Sequence, residues 1–144
     1  MQVNHEFDIH IHRIKSYSEG EVTITLPFEV GVIETATGDE SPKSVQTERL
    51  SRSAIILPNL LIRDWSPQTV AELSQADIQQ LAALTPELVI IGTGKRLQWP
   101  DRAVMTPLME VGIGYEIMDT AAACRTYNIL SYEGRAVAVA LMMI

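Results

Sequence analysis

Residues 90–101 read IIGTGKRLQWPD, and the stretch Gly92-Thr93-Gly94-Lys95-Arg96 has the side chains of an anion site. Glycines let backbone N–H groups converge on a charge, a hydroxyl adds a further donor, and adjacent cations neutralise the guest. The pattern meets neither standard nucleotide loop. A dinucleotide fingerprint needs a third glycine and a helix that opens at once, but Leu97-Gln98-Trp99-Pro100 intervenes. A Walker-type loop needs four residues between its glycines and a following Lys-Ser/Thr. The plainer reading is that Gly92 and Gly94 supply unusual backbone angles while Lys95 and Arg96 face water. Lys95, Arg96 and Arg102 are three of the chain's 11 Lys and Arg, and all lie between positions 95 and 102. Asp119-Thr120 follows a second strand end and could face the same crevice. Its simpler role is helix capping, because an Asp side chain there accepts a backbone N–H and favours the helix dipole. The candidate ligand-binding set is therefore Gly92, Thr93, Gly94, Lys95, Arg96, Asp119 and Thr120.

The other reactive side chains point to packing. Cys124 lies among alanines with no histidine nearby in sequence, the setting of a small buried hydrophobe and not of a thiolate. His5, Asp8, His10 and His12 invite a metal reading, since Asp8, His10 and His12 would share one face of a strand. Same-face side chains of a flat strand diverge, however, and no metal site is expected. Arg125, Tyr127 and Asn128 stand on an otherwise apolar helix and must be paired if they point inward. Asn128 would tether a loop, and Arg125 would pair with Glu116 or Glu133 or line a pocket. Trp65 and Trp99 adjoin proline-bounded turns and would cap the core edge, or anchor an interface if exposed together. No Ser-His-Asp triad stands out, so catalytic residues remain unassigned and no cofactor is expected.

The elements that position these groups follow from period and punctuation. Val22 to Leu26 alternates as a strand, and Pro27 ends it. Residues 34–49 are polar, with Gly38 and Pro42, and read as a hairpin tip or exposed loop. Ser53 to Leu57 and Leu60 to Trp65 are further strands, separated by Pro58-Asn59. Ser74 caps a helix carrying Ile78, Leu81 and Leu84, which Pro86 stops. Leu88 to Ile91 is a strand, and Ala103 to Val111 is helical up to Gly112. Pro107 demands a turn before that helix, with Thr106 as cap, or a kink. Ile113 to Met118 is a strand, Thr120 to Tyr132 a helix, Gly134 its C′ residue, and Arg135 to Met142 the last strand. This β-α-β-α-β order predicts a parallel sheet covered by helices. The last strand has no polar alternation and belongs at the sheet's centre. Its alanines (136, 138, 140) would admit a helix closely, while Val137, Val139 and Leu141 fill the other layer.

Composition narrows the function classes. The chain has 144 residues, enough for one domain, with strands concentrated in about 1–68 and the α/β part in about 69–144. Apolar residues make up 47% and charged residues 20%, the balance of a globular protein. A net charge of −7 repels polyphosphate, so nucleic acid is not an expected partner. The single cysteine forbids an internal disulfide, the N-terminus MQVNHEFDIHIHR has no signal-peptide core, and the longest apolar run (Ala136 to Ile144) is too short to span a bilayer. A cytoplasmic chain without membrane insertion is expected.

Gly112 to Leu141 (GIGYEIMDTAAACRTYNILSYEGRAVAVAL), with IIGTGKR before it, resembles a family of small domains of unknown function. That family includes archaeal and proteobacterial proteins, a mitochondrial assembly factor of respiratory complex I and an adipogenesis-associated Mth-type domain protein. The resemblance implies a three-layer α/β fold on a mixed sheet, with the N-terminal strands as an additional β layer. It supplies no catalytic residues. Together the residues and the resemblance point to a non-catalytic module that binds a protein partner, with self-association open. The alternative is a small-molecule or anion binder, or an unrecognised enzyme, using the Gly92–Arg96 crevice.

Overall fold

The computed structural model describes residues 11–27 and 46–144. Two sheets and three helices make up this part of the chain. Strands β1 (Arg13–Ser18), β2 (Glu21–Thr25) and β3 (Thr47–Leu50) form an antiparallel sheet in that order. Five further strands form the central sheet: β4 (Ala54–Leu57), β5 (Leu60–Ile62), β6 (Leu88–Thr93), β7 (Gly114–Met118) and β8 (Val137–Met142). Their order is β5-β4-β8-β6-β7. β6 runs parallel to both β7 and β8, and β4 runs antiparallel to β5 and β8, so the central sheet is mixed, as expected.

Helices α1 (Gln75–Ala83), α2 (Thr106–Glu110) and α3 (Thr120–Tyr132) cover the two faces of this sheet. The chain leaves β6 for its neighbour β7 and then returns past β6 to reach β8. These two crossovers step in opposite directions, so a common right-handed sense requires their helices to lie on opposite faces. The core divides in that way. Leu108 of α2 shares one cluster with Trp65, Ile78 and Leu81. Ala123, Cys124 and Tyr127 of α3 share the other with Ile14, Val22, Ile24 and Leu50 of the N-terminal sheet.

β8 is the middle strand, and all six of its residues are buried. Val137, Val139 and Leu141 face α3, while Ala138, Ala140 and Met142 face the Trp65 cluster. The expected use of the alanine face is corrected here. The closest helix approach is on the opposite side, where α3 brings Ala123 against Gly92, and the alanines instead lie among Trp65, Leu73 and Ile78. Small strand residues there make room for large side chains from outside the sheet.

Local signals explain the helix ends. Ser74 and Asp77 form a reciprocal capping box at α1, a feature contributing about 1 kcal/mol. Thr85, at φ 50°, and then Pro86 follow its last turn. Pro107 lies in the first turn of α2, where a missing N–H does no harm, and a 3-10 turn over Arg102–Met105 leads into it. The turn expected before Pro107 is thus present, but Met105 takes the cap position and Thr106 is already helical. Asp119 caps α3, and Gly134, at φ +84°, closes it.

Several boundaries differ from the sequence reading, β6 running on to Thr93 and β8 beginning only at Val137 among them. β1 carries no readable sequence signal, because only Ile14 of RIKSYS is buried and one residue makes no period. The stretch read as a hairpin tip or exposed loop runs to Arg49, yet from Thr47 the chain pairs with β2, Val22 opposite Leu50 and Thr25 opposite Thr47. An edge strand with a polar TERL sequence and one buried residue carries too weak an alternation to read. β5 ends at Ile62, after which Asp64 (φ 56°) turns the chain and sends Trp65 into the core.

Candidate functional site

The C-terminal ends of β6, β7 and β8 lie side by side, the position at which parallel sheets gather ligands. Gly92 pairs with Met118 and Leu141, and Thr93 with Met142. Gly92 and Thr93 are therefore strand residues, and the turn begins only at Gly94, at φ +96°. Gly92 has no left-handed angle, and its need is for space. A Cβ there would lie 2.9 Å from Leu141 Cδ2, 3.0 Å from Thr120 Oγ1 and 3.1 Å from Ala123 Cβ. α3 rests directly on that glycine.

Thr120 binds the junction together. Its hydroxyl accepts from the Gly94 N–H at 2.8 Å and donates to the Met142 carbonyl at 2.6 Å. Its own N–H donates to the Gly94 carbonyl at 2.9 Å. One fully buried residue thus joins the ends of β6 and β8 to the start of α3. The Asp119 carboxylate turns the other way and accepts from Ala122 N–H at 2.8 Å, the capping role read from the sequence.

Thr93 does the same for the outgoing loop. Its buried hydroxyl donates to the Arg96 carbonyl at 2.7 Å, with the Met118 carbonyl 3.2 Å away, and accepts from Gln98 N–H at 3.2 Å. Of the seven candidate residues, the fold brings Gly92, Thr93, Gly94, Asp119 and Thr120 into one hydrogen-bonded junction. Lys95 and Arg96 lie outside it as exposed side chains on the loop that leaves. The Gly94 N–H, the donor best placed to hold an anion, is already bonded to Thr120.

The polar residues of α3 form a second junction. Asn128 accepts from Ile14 N–H at 2.9 Å and donates to Ile14 C=O at 2.7 Å. Its amide thus occupies the outer edge of β1 as a neighbouring strand would. The Tyr127 hydroxyl donates to His12 C=O at 2.8 Å, and burial pushes that phenol's pKa up. Arg125 donates to the Tyr17 hydroxyl at 2.8 Å. The expected partners are corrected accordingly: Asn128 tethers a strand where a loop was expected, and Arg125 meets a tyrosine instead of Glu116 or Glu133. Both contacts span more than a hundred residues, and only the fold could show them.

The remaining candidates separate. Burial pushes the Cys124 thiol up to about 12, so it stays protonated and non-nucleophilic near neutrality. His12 is buried with Nδ1 3.0 Å from the Leu57 carbonyl, while His5, Asp8 and His10 lie outside the described residues. Among the described residues no three His, Cys, Asp or Glu side chains gather as metal ligands. Trp65 is 1% exposed and Trp99 72% exposed, so the two do not form a joint anchor. Also among the described residues, no helix is long and apolar enough to cross a membrane. Sequence reading missed the bidentate pair of Arg63 with Glu48, at 2.5 and 2.6 Å, which ties β3 to the segment after β5.

Comparison with known proteins places this architecture. A family model described as "Protein of unknown function (DUF498/DUF598)" matches residues 35–142. A Bordetella parapertussis protein of known crystal structure is 31% identical, with a TM-score of 0.72 over 92% of this chain and 95% of that one. A Bordetella pertussis structure described as a Mth938-like domain is 25% identical, with a TM-score of 0.71 over 99% and 92%. Among curated proteins, NADH dehydrogenase [ubiquinone] 1 alpha subcomplex assembly factor 3 of Bos taurus is 29% identical over 100 residues, 68% of this chain and 54% of that protein. The chain thus spans about half the length of the curated relatives it matches. The resemblance and the mixed α/β fold read from the sequence agree with these matches.

Proposed function

The chain belongs to the DUF498/DUF598 family of proteins of unknown function, and from that membership we propose that it is a non-catalytic, protein-binding module with an assembly-factor-like role. The observation that carries the reading is the junction at the strand ends. Its hydroxyls are bonded to backbone carbonyls and N–H groups, and its carboxylate caps a helix. A general base or nucleophile needs a free lone pair within reach of a substrate. The polar residues here hold the fold instead. Assembly factors act through surfaces, and the Bos taurus relative bears that name. We place the module in the cytoplasm, where its single cysteine would stay reduced.

The test is purification of the chain, tagged at its own locus and native abundance, under gentle lysis. The expected result is recovery with subunits of a multisubunit complex in partly assembled form, with the finished complex free of the chain. A respiratory NADH dehydrogenase is the first complex to examine. Recovery of the chain alone would count heavily against the reading.

A second reading uses the same junction as a ligand crevice, with Gly92, Thr93, Gly94, Asp119 and Thr120 as its wall and Lys95 and Arg96 at its mouth. The observation favouring it is that these two cations are exposed and make no ion pair among the described residues. A melting screen against phosphates, nucleotides and small carboxylates tests it. A rise of several degrees that is lost in Lys95→Ala/Arg96→Ala supports it, and no rise with any ligand removes it.

A further inference from the structure

We propose that the loop from Lys95 to Arg102 is a docking surface for an acidic segment of another protein, with Trp99 and Leu97 as its apolar anchors; this rests on the protein-binding reading above.

Three observations carry it. The first is exposure: Trp99 is 72% and Leu97 48% open to solvent, whereas Trp65, the only other tryptophan, is 1% exposed. A large apolar side chain held in water gains free energy whenever a partner covers it, and tryptophan and arginine are the residue types enriched at binding hot spots.

The second is rigidity. The loop is stapled at its start by the Thr93 hydroxyl, which bonds Arg96 C=O and Gln98 N–H. At its end Asp101 accepts from Ala103 N–H at 3.1 Å and caps the 3-10 turn. Leu97 and Trp99 are therefore presented on a backbone anchored on both sides, which lowers the ordering cost of binding.

The third is charge, and it selects the occupant. Arg49, Arg52, Arg63 and Arg135 each pair with a carboxylate of this chain. Among the described residues Lys95, Arg96 and Arg102 do not. The one carboxylate within the loop, Asp101, is engaged as a cap. Three cations without a counterion among the described residues fit an anionic guest. The size of that guest follows from the net charge of −7. A bilayer or a nucleic acid presents negative charge across a whole face and would meet the acidic remainder of the protein. A short acidic segment meets only the loop, because salt screens charges beyond about 8 Å at physiological ionic strength.

The experiment selects from a phage-displayed library of random dodecapeptides on the full chain, with Lys95→Glu/Arg96→Glu/Trp99→Ser as the counter-target. All three positions are exposed, and an unchanged melting temperature confirms that the variant folds. Expected peptides carry Asp or Glu beside aliphatic or aromatic residues. As synthetic peptides they should lose at least tenfold in affinity for the counter-target, and at least fivefold for the wild type between 50 and 300 mM salt. Tryptophan emission should shift to the blue on binding and stay unshifted in Trp99→Ser, where Trp65 alone emits. No enrichment, neutral or basic consensus peptides, or equal binding to the variant would overturn the proposal. So would a Trp99 blue shift on phosphatidylserine vesicles without acidic-peptide binding, or a Trp99-dependent dimer in sedimentation. The broader reading fails separately. If natively purified chain has partners and the variant keeps all of them, this surface is wrong and the binding module stands; if the wild type has none, that reading falls whatever the peptides do.

Discussion

The Thr120 hydroxyl sits 2.8 Å from the Gly94 amide nitrogen and accepts its hydrogen bond, 26 residues apart in sequence. The same oxygen donates to Met142 C=O. Thr120→Val keeps the shape and removes both bonds, leaving a buried N–H and a buried C=O without partners. A loss of about 2–4 kcal/mol in unfolding free energy is expected, because each orphaned buried group costs about 1–3 kcal/mol. Thr120→Ser restores the hydroxyl and should recover most of the loss. Urea unfolding of the three proteins decides the matter, and equal stability of the Val and Ser variants would refute the clamp.

Gly92 and Gly94 are required for different reasons, and substitution separates them. Gly92→Ala drives a methyl into Leu141, Thr120 and Ala123 and should cost about 1–3 kcal/mol through overpacking. Gly94→Ala meets the Met143 carbonyl at 3.2 Å and a left-handed backbone angle, costing about 1–2 kcal/mol. D-Ala incorporated by chemical ligation distinguishes the two, since it tolerates the positive φ. It should relieve strain at position 94 and give no relief at 92. Melting temperatures of the four variants provide the check.

Asn128 holds the outer edge of β1 through both backbone groups of Ile14. Asn128→Ala should therefore loosen the N-terminal sheet more than the central one. Amide hydrogen exchange at Ile14 is expected to speed up at least tenfold, while Val139, in the middle of β8, changes little. Unaltered protection at Ile14 would mean that other contacts hold the strand.

The Glu48–Arg63 pair gives a pH signature. Its hydrogen bonds from Arg63 hold the Glu48 carboxyl below the ordinary value of 4.5. A carboxyl whose pKa is lower when folded contributes fully above its unfolded value and loses that contribution as pH falls through the folded value. The Arg63 and Glu48 side chains are 54% and 27% exposed, so the pair contributes only about 0.5–1 kcal/mol. Glu48→Gln should melt a few degrees below wild type at pH 7, and the gap should close by pH 3. A gap of the same size at both pH values would show that charge is not its origin.

What the sequence determined by itself was local. Ser74 with Asp77, Asp119 and Gly134 mark helix ends because a cap needs only its own few neighbours. The unbroken apolar run of β8 marks a strand buried on both faces because period and polarity are written along the chain. From these the β-α-β-α-β order and its parallel strands could be read, while the mixed sheet was implied only by the family resemblance. The tertiary structure decided whatever depends on contact across distance. It alone recruited the polar segments of β1 and β3 into a sheet, since backbone pairing asks little of side chains at an edge. It sent Trp65 inward and left Trp99 in solvent, although both lie beside proline-bounded turns. It also assigned the donors of IIGTGKR, giving the Gly94 N–H to Thr120 and the Arg96 and Gln98 backbone to Thr93. A hydrogen bond between residues far apart leaves no period in either segment, so the glycine stretch could be placed at a strand end from sequence but its partners could not be named.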